Sequence, residues 1–573
     1  MTLQYGDIRP SDATGGLAMA ALARKATLIL LGLTVLALGA LLAACGEEET
    51  PTATPLSEVL AERQELRIRM PGEPTTLDPQ IAAFANDVSI VKLLFRGLVQ
   101  YDQNLGIVPA AAKETPSKEN GGISEDGLTY TFRLRDDLVW SDGEPLTASD
   151  FEYSLKRLFD PEVGAHGYYY GFYINIVGSE AYAAGEGSAE EVAVTAIDDT
   201  TLEIKLTRVQ PTLLQLLALW PAFPVRQDVV EEHGDAWTEA GNLIGNGPFV
   251  LKEWVHDDHI TLEANANYWG DDKPTLQRIV FRMIPDESVA LIAYQNNELD
   301  MTAIPLPDTG RFEGNPESLK YAELATVALG FNNTREPFTD PLVRKAFRMA
   351  VDSQAYVDSV RQGSGLPAFS WIPPGMPGYN PDIGTDYAFD PEGAKGLLAQ
   401  AGYPDGEGLP DITITIGNTQ ESRLTAQFLQ EQLRTNLGVN IDIEVLESAT
   451  YQDRYLTSEF QFTLVGWRAD YADPENWLPQ LFGTDAGLNQ YKYSNPAVDD
   501  LFAQTAVELD NGKRLDLYDQ AQEIIIDEDM GTAPLYYPIR NWLVKPWVAG
   551  IITTGLDSSP GDWFYTNVRI LAH

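Results

Sequence analysis

The sequence predicts an α/β fold, and three observations indicate it. Strand-like and helix-like segments alternate along most of the chain, residues 411–446 form a complete strand–helix–strand pattern, and no fixed-period repeat is present. The chain has 573 residues, of which 44% are hydrophobic, so it can build large cores. At about 150 residues per domain, this length corresponds to three or four domain-sized units.

The first element is an apolar segment that predicts export. Arg24 and Lys25 precede an uncharged run, residues 26–44, which ends in small residues before Cys45. A basic flank, an apolar stretch and small residues at its end are typical of a signal peptide, here residues 1–44. A permanent transmembrane anchor is the alternative, because the run is close to the ~20 residues that span a bilayer. Either way, we expect the remaining chain to lie outside the cytoplasm.

The position of Cys45 resembles the lipobox of bacterial lipoproteins. The resemblance implies cleavage before Cys45 and lipid on its sulfur and on the new amino terminus. Residues 45–64 follow, and their acidic, Thr- and Pro-rich start contains almost no large apolar residue. Because such a composition cannot form a core, these residues predict a flexible tether between the lipid and the folded body.

Residues 127–157 predict antiparallel structure followed by a helix. Apolar side chains at 130, 132 and 134 alternate with polar ones, so one face of this strand is apolar. A Ser-Asp-Gly turn signal follows at 141–143. Thr147 or Ser149 can then cap a helix that begins near Asp150.

Later elements carry clear boundary signals. Asp340-Pro341 and Asp390-Pro391 predict helix starts, with Asp as the N-cap and Pro in the first turn. In residues 411–446, isoleucines alternate with threonines, an amphipathic helix follows, and Gly438 ends that helix. A second alternating strand completes the unit, which predicts parallel pairing and a right-handed crossover.

The composition excludes several classes of function. Lys plus Arg is 39 against 84 Asp plus Glu, a formal charge of −45, which argues against nucleic acid and against adhesion of the folded surface to anionic lipid. A single cysteine excludes an internal disulfide and any CxxC site. No phosphate loop, GxGxxG, GxSxG or HExxH motif is present, so we expect neither an enzyme nor a cofactor. The HDDH run at 256–259 is interpreted as solvated surface rather than a metal site.

Residues 465–478, VGWRADYADPENWL, form the most distinctive local pattern and follow a predicted strand at 460–465. They contain three large rings and two aspartates: Trp467, Tyr471, Trp477, Asp470 and Asp473. Rings beside a carboxylate at a strand end suit a ligand with a cationic head and an apolar neighbour. The alternative is a core Trp with a structural turn, and for Asp473 a helix start is favoured because it precedes a proline.

Ordered motifs along nearly the whole chain resemble the extracellular solute-binding protein family 5 of ABC importers, the peptide and nickel group, and most of all its oligopeptide-binding members. The matching segments are LTYTFRLRDDLVWSDGEPLTASDFEYSLKR, NGPFVLKEW (246–254), NANYWG (265–270), FNNTREPFTDPLVRKAFRMAVD (331–352), GWRADYADP (466–474), YKYSNPAVDD (491–500) and LYYPIRNWLVKPWVAG (535–550).

The resemblance implies an α/β, two-lobed periplasmic-binding-protein type II fold with an extra subdomain in the first lobe and a hinge between the lobes. It places lobe I at 65–327 with the extra subdomain at about 111–200, lobe II at 328–536, and a C-terminal return to lobe I at 537–573. The two crossings between lobes are expected near 325–330 and 535–540. Closure around a ligand would then be a hinge motion.

The resemblance also implies binding residues. Asp470 matches the residue that binds a peptide α-amine in relatives, and Trp467 matches a ring beside side-chain pockets. The backbone at Gly466 and Trp467 is implied to pair with the ligand main chain. The aromatic run Tyr168-Tyr169-Tyr170 is placed near the cleft. The expected ligand-binding set also includes residues implied or placed near the cleft: Tyr471, Ala83, Phe84, Ala85, Tyr168, Tyr170 and Arg423.

Two departures from the family pattern concern the ligand carboxylate. Leu464 stands where relatives can place an arginine, and Arg423 falls where others place a basic residue that reaches the ligand's C-terminus. An exposed helix charge is the alternative interpretation of Arg423.

The predicted function is capture of short peptides for an ABC importer. The expected partners are a peptide, the permease and ATPase subunits of the importer, and the membrane through the lipid on Cys45, with a monomeric chain outside the cytoplasm. The same fold binding an oligosaccharide, a nickel chelate or an opine is the alternative, because a fold does not determine its ligand. The acidic surface predicts a slight preference for basic peptides at low salt.

Overall fold

The computed structural model describes residues 59–164 and 169–573. The predicted signal peptide and Cys45 lie outside this range. Within it, no helix combines the length and the apolar character needed to cross a membrane. The strands are β1 (Glu65–Met70), β2 (Val99–Tyr101), β3 (Ile107–Pro109), β4 (Thr129–Arg133), β5 (Val194–Asp198), β6 (Thr201–Lys205), β7 (Phe249–Val255), β8 (His259–Ala264), β9 (Arg278–Met283), β10 (Met301–Ala303), β11 (Ser318–Ala322), β12 (Ala325–Phe331), β13 (Gly365–Pro367), β14 (Thr413–Gly417), β15 (Asp442–Leu446), β16 (Phe462–Arg468), β17 (Ala533–Val544), β18 (Val548–Ala549) and β19 (Arg569–Ile570).

The helices alternate with these strands, as the sequence predicts. They are α1 (Ala85–Leu94), α2 (Ala148–Arg157), α3 (Ser179–Ala183), α4 (Leu213–Leu217), α5 (Gln227–His233), α6 (Glu287–Gln295), α7 (Pro341–Met349), α8 (Ser353–Ser359), α9 (Pro391–Gln400), α10 (Gln420–Leu437), α11 (Ser448–Leu456), α12 (Leu478–Phe482), α13 (Pro496–Thr505) and α14 (Asn511–Glu523).

The predicted helix boundaries are confirmed where a cap residue marks them. The Asp340 side chain accepts a hydrogen bond from the Leu342 backbone at the start of α7, and Asp390 caps α9 in the same way. Gly438 ends α10 in the left-handed conformation with φ of 71°, which glycine adopts without a Cβ clash. Thr147 is the N-cap of α2, which begins at Ala148, two residues before the predicted start.

The strand–helix–strand unit is confirmed. β14 and β15 pair in parallel with Thr413 opposite Asp442, and α10 connects them. Both strands lie in a mixed sheet of twelve strands whose order is β15-β14-β16-β12-β17-β10-β1-β9-β8-β7, with β11 and β13 also paired to β17. The fold is therefore mixed α/β around one large sheet.

One strand, β17, joins the two halves of that sheet. The first half of β17 pairs with β12, where Val327 lies opposite Tyr536, and its second half pairs with β10, where Met301 lies opposite Val544. β12 and β17 are the strands that contain the two predicted crossings. The division of the chain into lobes at these positions stays a prediction.

The buried side chains of the described residues form more than one core cluster. A core cluster of residues between Leu329 and Tyr536 includes the stacked Phe331 and Phe462 rings. A larger cluster contains Leu66 together with Trp371 and Trp477, so it draws on both predicted lobes. In the region of the predicted extra subdomain, β4, β6 and β5 form a separate antiparallel sheet.

The start of the described chain is anchored rather than free. The Gln64 side-chain amide donates to the Ile570 carbonyl at 2.8 Å, and its oxygen accepts from the Ile570 backbone N–H at 2.9 Å. The Ala61 backbone also donates to Ile570. The composition assigns residues 60–64 to the tether. In the structure they pack against the C-terminal segment, and the buried Gln64 amide satisfies both backbone groups of Ile570.

Candidate functional site

Two adjoining cavities lie where the GWRAD motif meets the N-terminal part of the chain. The large cavity has a volume of about 670 Å³ and the small cavity about 160 Å³. Both are lined by Ala83, Tyr169, Arg468 and Asp470. The large cavity adds Phe84, Ala325, Thr326, Val327, Gly466 and Trp467. The structure thus brings together most of the predicted binding residues from segments more than 300 positions apart.

β16 carries the motif into the large cavity. It extends to Arg468, three residues beyond the predicted strand, and pairs antiparallel with β12 so that Gly466 lies opposite Val327. On its other side, β14 pairs only with Phe462 and Thr463. Among the described strands, none pairs with residues 464–468 on that side, and the Leu464 carbonyl accepts from the Tyr451 hydroxyl at 3.3 Å. Residues 465–468 thus present a backbone edge that an extended ligand can join.

Asn476 holds the Asp470 carboxylate in place. The Asp470 backbone N–H donates to Asn476 Oδ1 at 2.8 Å, and Asn476 Nδ2 donates to Asp470 Oδ2 at 3.0 Å. The Tyr169 hydroxyl donates to Asp470 Oδ1 at 3.1 Å. Trp467 Nε1 also donates to Asn476 Oδ1, at 3.4 Å. A fully buried amide therefore orients both the carboxylate and the ring of the motif.

The Asp470 carboxylate lacks a cationic partner. Burial raises the pKa of this carboxyl, and the hydrogen bonds from Asn476 and Tyr169 and the charge of Arg468 oppose that rise. No ion pair within the described residues includes Asp470. A desolvated carboxylate is stabilised by a cation, so this position is suited to receive one from a ligand.

The second aspartate of the motif is structural, as its position before Pro474 predicts. Asp473 accepts two hydrogen bonds from Arg514 at 2.7 and 2.6 Å, and both side chains are buried. It also accepts from the Glu475 backbone at the start of a short 3₁₀ turn. Asp473 is thus neutralised within the fold.

Two rings of the motif lie in the core and not on the cavities. Tyr471, expected to contact ligand, is 1% exposed and packs edge-to-face against Phe172, with centroids 6.0 Å apart. Trp477 is fully buried beside Trp371. The backbone turns after Asp470, which directs Tyr471 away from the cavity that Trp467 and Asp470 line.

Ala83, Phe84 and Ala85 line the opposite wall, where the resemblance implies a partner for the other edge of a ligand. The Asp87 carboxylate accepts from the Phe84 backbone at 3.1 Å and from the Ala83 backbone at 3.4 Å. Trp220 Nε1 donates to the Ala82 carbonyl at 2.8 Å. These bonds fix the loop, and they occupy the Ala83 and Phe84 N–H groups. The Phe84 ring is 64% exposed beside the large cavity.

The remaining expected residues are placed differently. Tyr168 lies outside the described residues, and Tyr170 begins a 3₁₀ turn and lines neither cavity. Tyr169, between them, lines both. Arg423 is exposed on α10, where it donates to Asn418 Oδ1 at 2.6 Å, and it lies on neither cavity. The structure agrees with the interpretation of Arg423 as an exposed helix charge.

Buried charges support the wall of the small cavity. Lys92 forms a 3.0 Å ion pair with Asp562, and its ammonium lies 4.2 Å from the centroid of the Trp563 ring. Burial and the neighbouring Asp562 raise the pKa of the Asp557 carboxyl to about 7. Asp557 accepts from the Thr554 and Gly561 backbones and so holds the loop that carries Leu556 and Ser558, two further lining residues.

Sequence reasoning placed the aromatic run at 168–170 near the cleft, and it missed two residues of the site: Arg468 and Asn476. Arg468 lies inside the GWRAD motif, two residues before Asp470, so its proximity to Asp470 could have been predicted from the sequence. Asn476 has no signal in the sequence, since its contact depends on the turn between residues 470 and 476. Residues 256–258 of the HDDH run are exposed, His259 is half-buried, and His256 pairs with Glu73. The described residues contain no cluster suited to a metal.

Comparisons with known proteins agree with this geometry. Residues 106–489 match the family model described as bacterial extracellular solute-binding proteins, family 5 middle. The dipeptide-binding protein DppE of Bacillus subtilis is 33% identical over 499 residues, which cover 85% of this chain and 89% of that protein. The periplasmic oligopeptide-binding protein OppA of Escherichia coli is 31% identical over 528 residues, 91% of this chain and 95% of that protein.

Among solved structures, the periplasmic murein tripeptide-binding protein MppA in its unliganded open form has a TM-score of 0.78 at 31% identity, covering 90% of this chain and 99% of MppA. These similar proteins are two-lobed solute-binding proteins, and the mixed α/β sheet described above has the same architecture. The chain belongs to family 5 of the bacterial extracellular solute-binding proteins, and it has their two-lobed fold.

Proposed function

We propose that this chain is the substrate-binding protein of an ABC importer and captures short peptides, with the Asp470 carboxylate receiving the protonated α-amine. The observation that carries the proposal is a partly desolvated carboxylate that is held by Asn476 and Tyr169 and lacks a cation. A peptide ammonium supplies the missing charge and three donors.

The unpaired edge of β16 favours a peptide over another solute as the ligand. Residues 466–468 line the large cavity with an edge that no described strand pairs, and an extended peptide pairs with such an edge largely independently of its sequence. The names of the relatives agree with this class of ligand, since DppE is called a dipeptide-binding and OppA an oligopeptide-binding protein.

The proposal includes the wider organisation of the protein. Lobe I would comprise residues 65–327 and 537–573, lobe II residues 328–536, and closure would bend the chain at β12 and β17. Lipid on Cys45 would hold a monomeric receptor at the outer face of the membrane, where it delivers the closed complex to the permease. Fatty-acid labelling of cells that express the wild type and Cys45→Ser tests the anchor, and labelling of the variant at the wild-type level would contradict it.

Asp470→Asn tests the binding role directly. The variant keeps the shape of the side chain and loses the charge, so we expect tripeptide affinity to fall by roughly 2–5 kcal/mol in calorimetry. N-acetylation of the peptide removes the cation and should weaken binding to the wild type similarly.

The exposed Asp485→Asn is the matched control, since it removes the same charge from the same predicted lobe. Unchanged tripeptide affinity in Asp470→Asn would overturn the assignment. Native mass spectrometry of purified protein separates ligand classes, because a co-purified oligosaccharide, nickel chelate or opine in place of peptides would contradict the peptide proposal.

A further inference from the structure

A positively charged side chain lies beside Asp470 in the walls of both cavities. Arg468 is the last residue of β16, where it pairs with Ala325, and it lines the large and the small cavity. Its side chain is 31% exposed, so the guanidinium is accessible from the cavities. A ligand ammonium bound by Asp470 would therefore lie close to a fixed cation.

The fold occupies only part of the Arg468 guanidinium. Nη2 donates to the Asp557 carbonyl at 2.6 Å and lies 3.7 Å from Glu323 Oε1. Glu323 also pairs with Arg540, so one carboxylate serves two arginines. Among the described residues, Nε and Nη1 of Arg468 have no hydrogen-bond partner. A guanidinium has five N–H donors in a planar fork, and the free ones match a carboxylate.

The other cation of the small cavity, Lys92, is already paired within the fold. Lys92 is 2% exposed and bound by Asp562, which is fully buried, so this ammonium is neutralised. The remaining wall is largely apolar, with Val88, Trp220, Leu556 and Trp563. Arg468 is thus the accessible cation of this wall, and a volume of about 160 Å³ leaves room for a single side chain beside it.

We propose that Arg468 is a specificity-determining residue that binds a ligand carboxylate placed next to the ligand ammonium. This inference rests on the proposed peptide function. The carboxylate has two possible sources in a short peptide: an Asp or Glu side chain at the first residue, or the terminal carboxylate of a dipeptide. Either one would contact Arg468 while the α-amine contacts Asp470, so the two adjacent protein charges would recognise an ammonium and a carboxylate of the same ligand.

The proposed preference for a ligand carboxylate at Arg468 is opposite to the electrostatic preference of the whole surface. A net charge of −45 attracts basic peptides at long range, and that attraction is screened beyond about 8 Å at physiological salt. A direct contact with Arg468 is screened less. We therefore expect the preference for a carboxylate to persist at 0.15 M salt.

Calorimetry with matched peptide pairs tests the proposal. Glu-Ala-Ala against Gln-Ala-Ala reports the side-chain carboxylate, and Ala-Ala against its C-terminal amide reports the terminal one. For at least one pair, we expect the wild type to bind the charged member about tenfold tighter, as a charge-assisted bond at a partly exposed site predicts. Arg468→Gln should lose that preference, and Arg468→Lys should keep part of it because the charge remains.

Arg540→Gln is the matched control, since it removes the same charge and the same Glu323 contact but lies on neither cavity. It should leave the preference intact. If the wild type binds both members of both pairs equally, or if Arg468→Gln and Arg468→Lys retain the full preference, the inference about Arg468 is wrong while peptide binding stands. If no peptide binds the wild type, the proposed function itself fails.

Discussion

Asn476 binds Asp470 twice, through a 2.8 Å hydrogen bond from the Asp470 backbone and a 3.0 Å bond to its carboxylate. One buried amide therefore fixes both the position of the residue and the direction of its charge. The proposed ligand contact depends on this side chain, although Asn476 lines neither cavity.

The first prediction concerns that amide. Asn476→Asp keeps the size of the side chain, removes the donor to Asp470 and adds a like charge, so it should raise the pKa of the Asp470 carboxyl. We expect peptide affinity to fall by about 1.5–3 kcal/mol at pH 7. Asn489→Asp, another buried amide change remote from the cavities, controls for lost stability, and calorimetry on the folded variants is the measurement.

Tyr169→Phe tests the other hydrogen bond to Asp470. The ring and its edge-to-face contact with Trp220 remain, and the donor to Oδ1 is lost. We expect affinity to fall by about 1 kcal/mol. Binding should also be lost at a higher pH as the solution is acidified, because the carboxyl protonates more readily without this donor. Tyr170→Phe, one residue away and on neither cavity, should bind as the wild type does, and equal affinity of both variants would contradict the assignment.

Gly466→Val should block the strand edge without unfolding the protein. An added Cβ would lie 3.4 Å from the Thr326 carbonyl, an ordinary contact, so the backbone accepts a side chain there. The branched side chain would occupy the cavity where a ligand main chain is proposed to pair. We expect affinity to fall by about 1–3 kcal/mol, as for overpacked sites, with a melting temperature close to the wild type. Gly487→Val, at an exposed glycine with open space around it, is the control.

The Asp557 carboxyl predicts a pH dependence of stability. Its pKa of about 7 in the folded protein lies well above the value of about 4 in an unfolded chain, so the folded state binds more protons between these values. The contribution of this group to stability is then greatest in acid, falls as the pH rises from about 4 to about 7, and is constant above that. Urea unfolding should show a loss of about 2–3 kcal/mol between pH 5 and 8 from this group.

Asp557→Asn removes the titrating group and should flatten that slope, because an amide keeps an acceptor for the Gly561 and Thr554 backbones without a charge. The exposed Asp126→Asn should leave the slope unchanged. A variant Asp557→Asn with the full wild-type slope would show that another group is responsible.

The sequence predicted the local elements well where a cap or an alternation marked them. Asp340, Asp390 and Gly438 act at helix ends because short-range sterics and hydrogen bonds decide those positions. It also indicated the structural role of Asp473, since the following Pro474 is typical of a helix or turn start. The family resemblance supplied the fold and the placement of Asp470, which periodicity alone could not.

What the sequence could not predict depends on tertiary contacts. Tyr471 is expected on the cavity and lies in the core, where it packs against Phe172. The role of Asn476 is identified only by its hydrogen bonds with Asp470 across the turn between residues 470 and 476. Residues 60–64 have the composition of a linker, yet Gln64 is buried by a partner more than 500 positions away.

β17 also has a consequence for biosynthesis. Until residues 533–544 are available, β12 and β10 each lack a neighbour, and the central sheet stays open in two places. Unpaired strands of this kind associate readily with other chains. A polypeptide that ends before this stretch would therefore expose two unpaired strand edges. During synthesis, chaperones and proteases would act on these edges until the last tenth of the chain emerges.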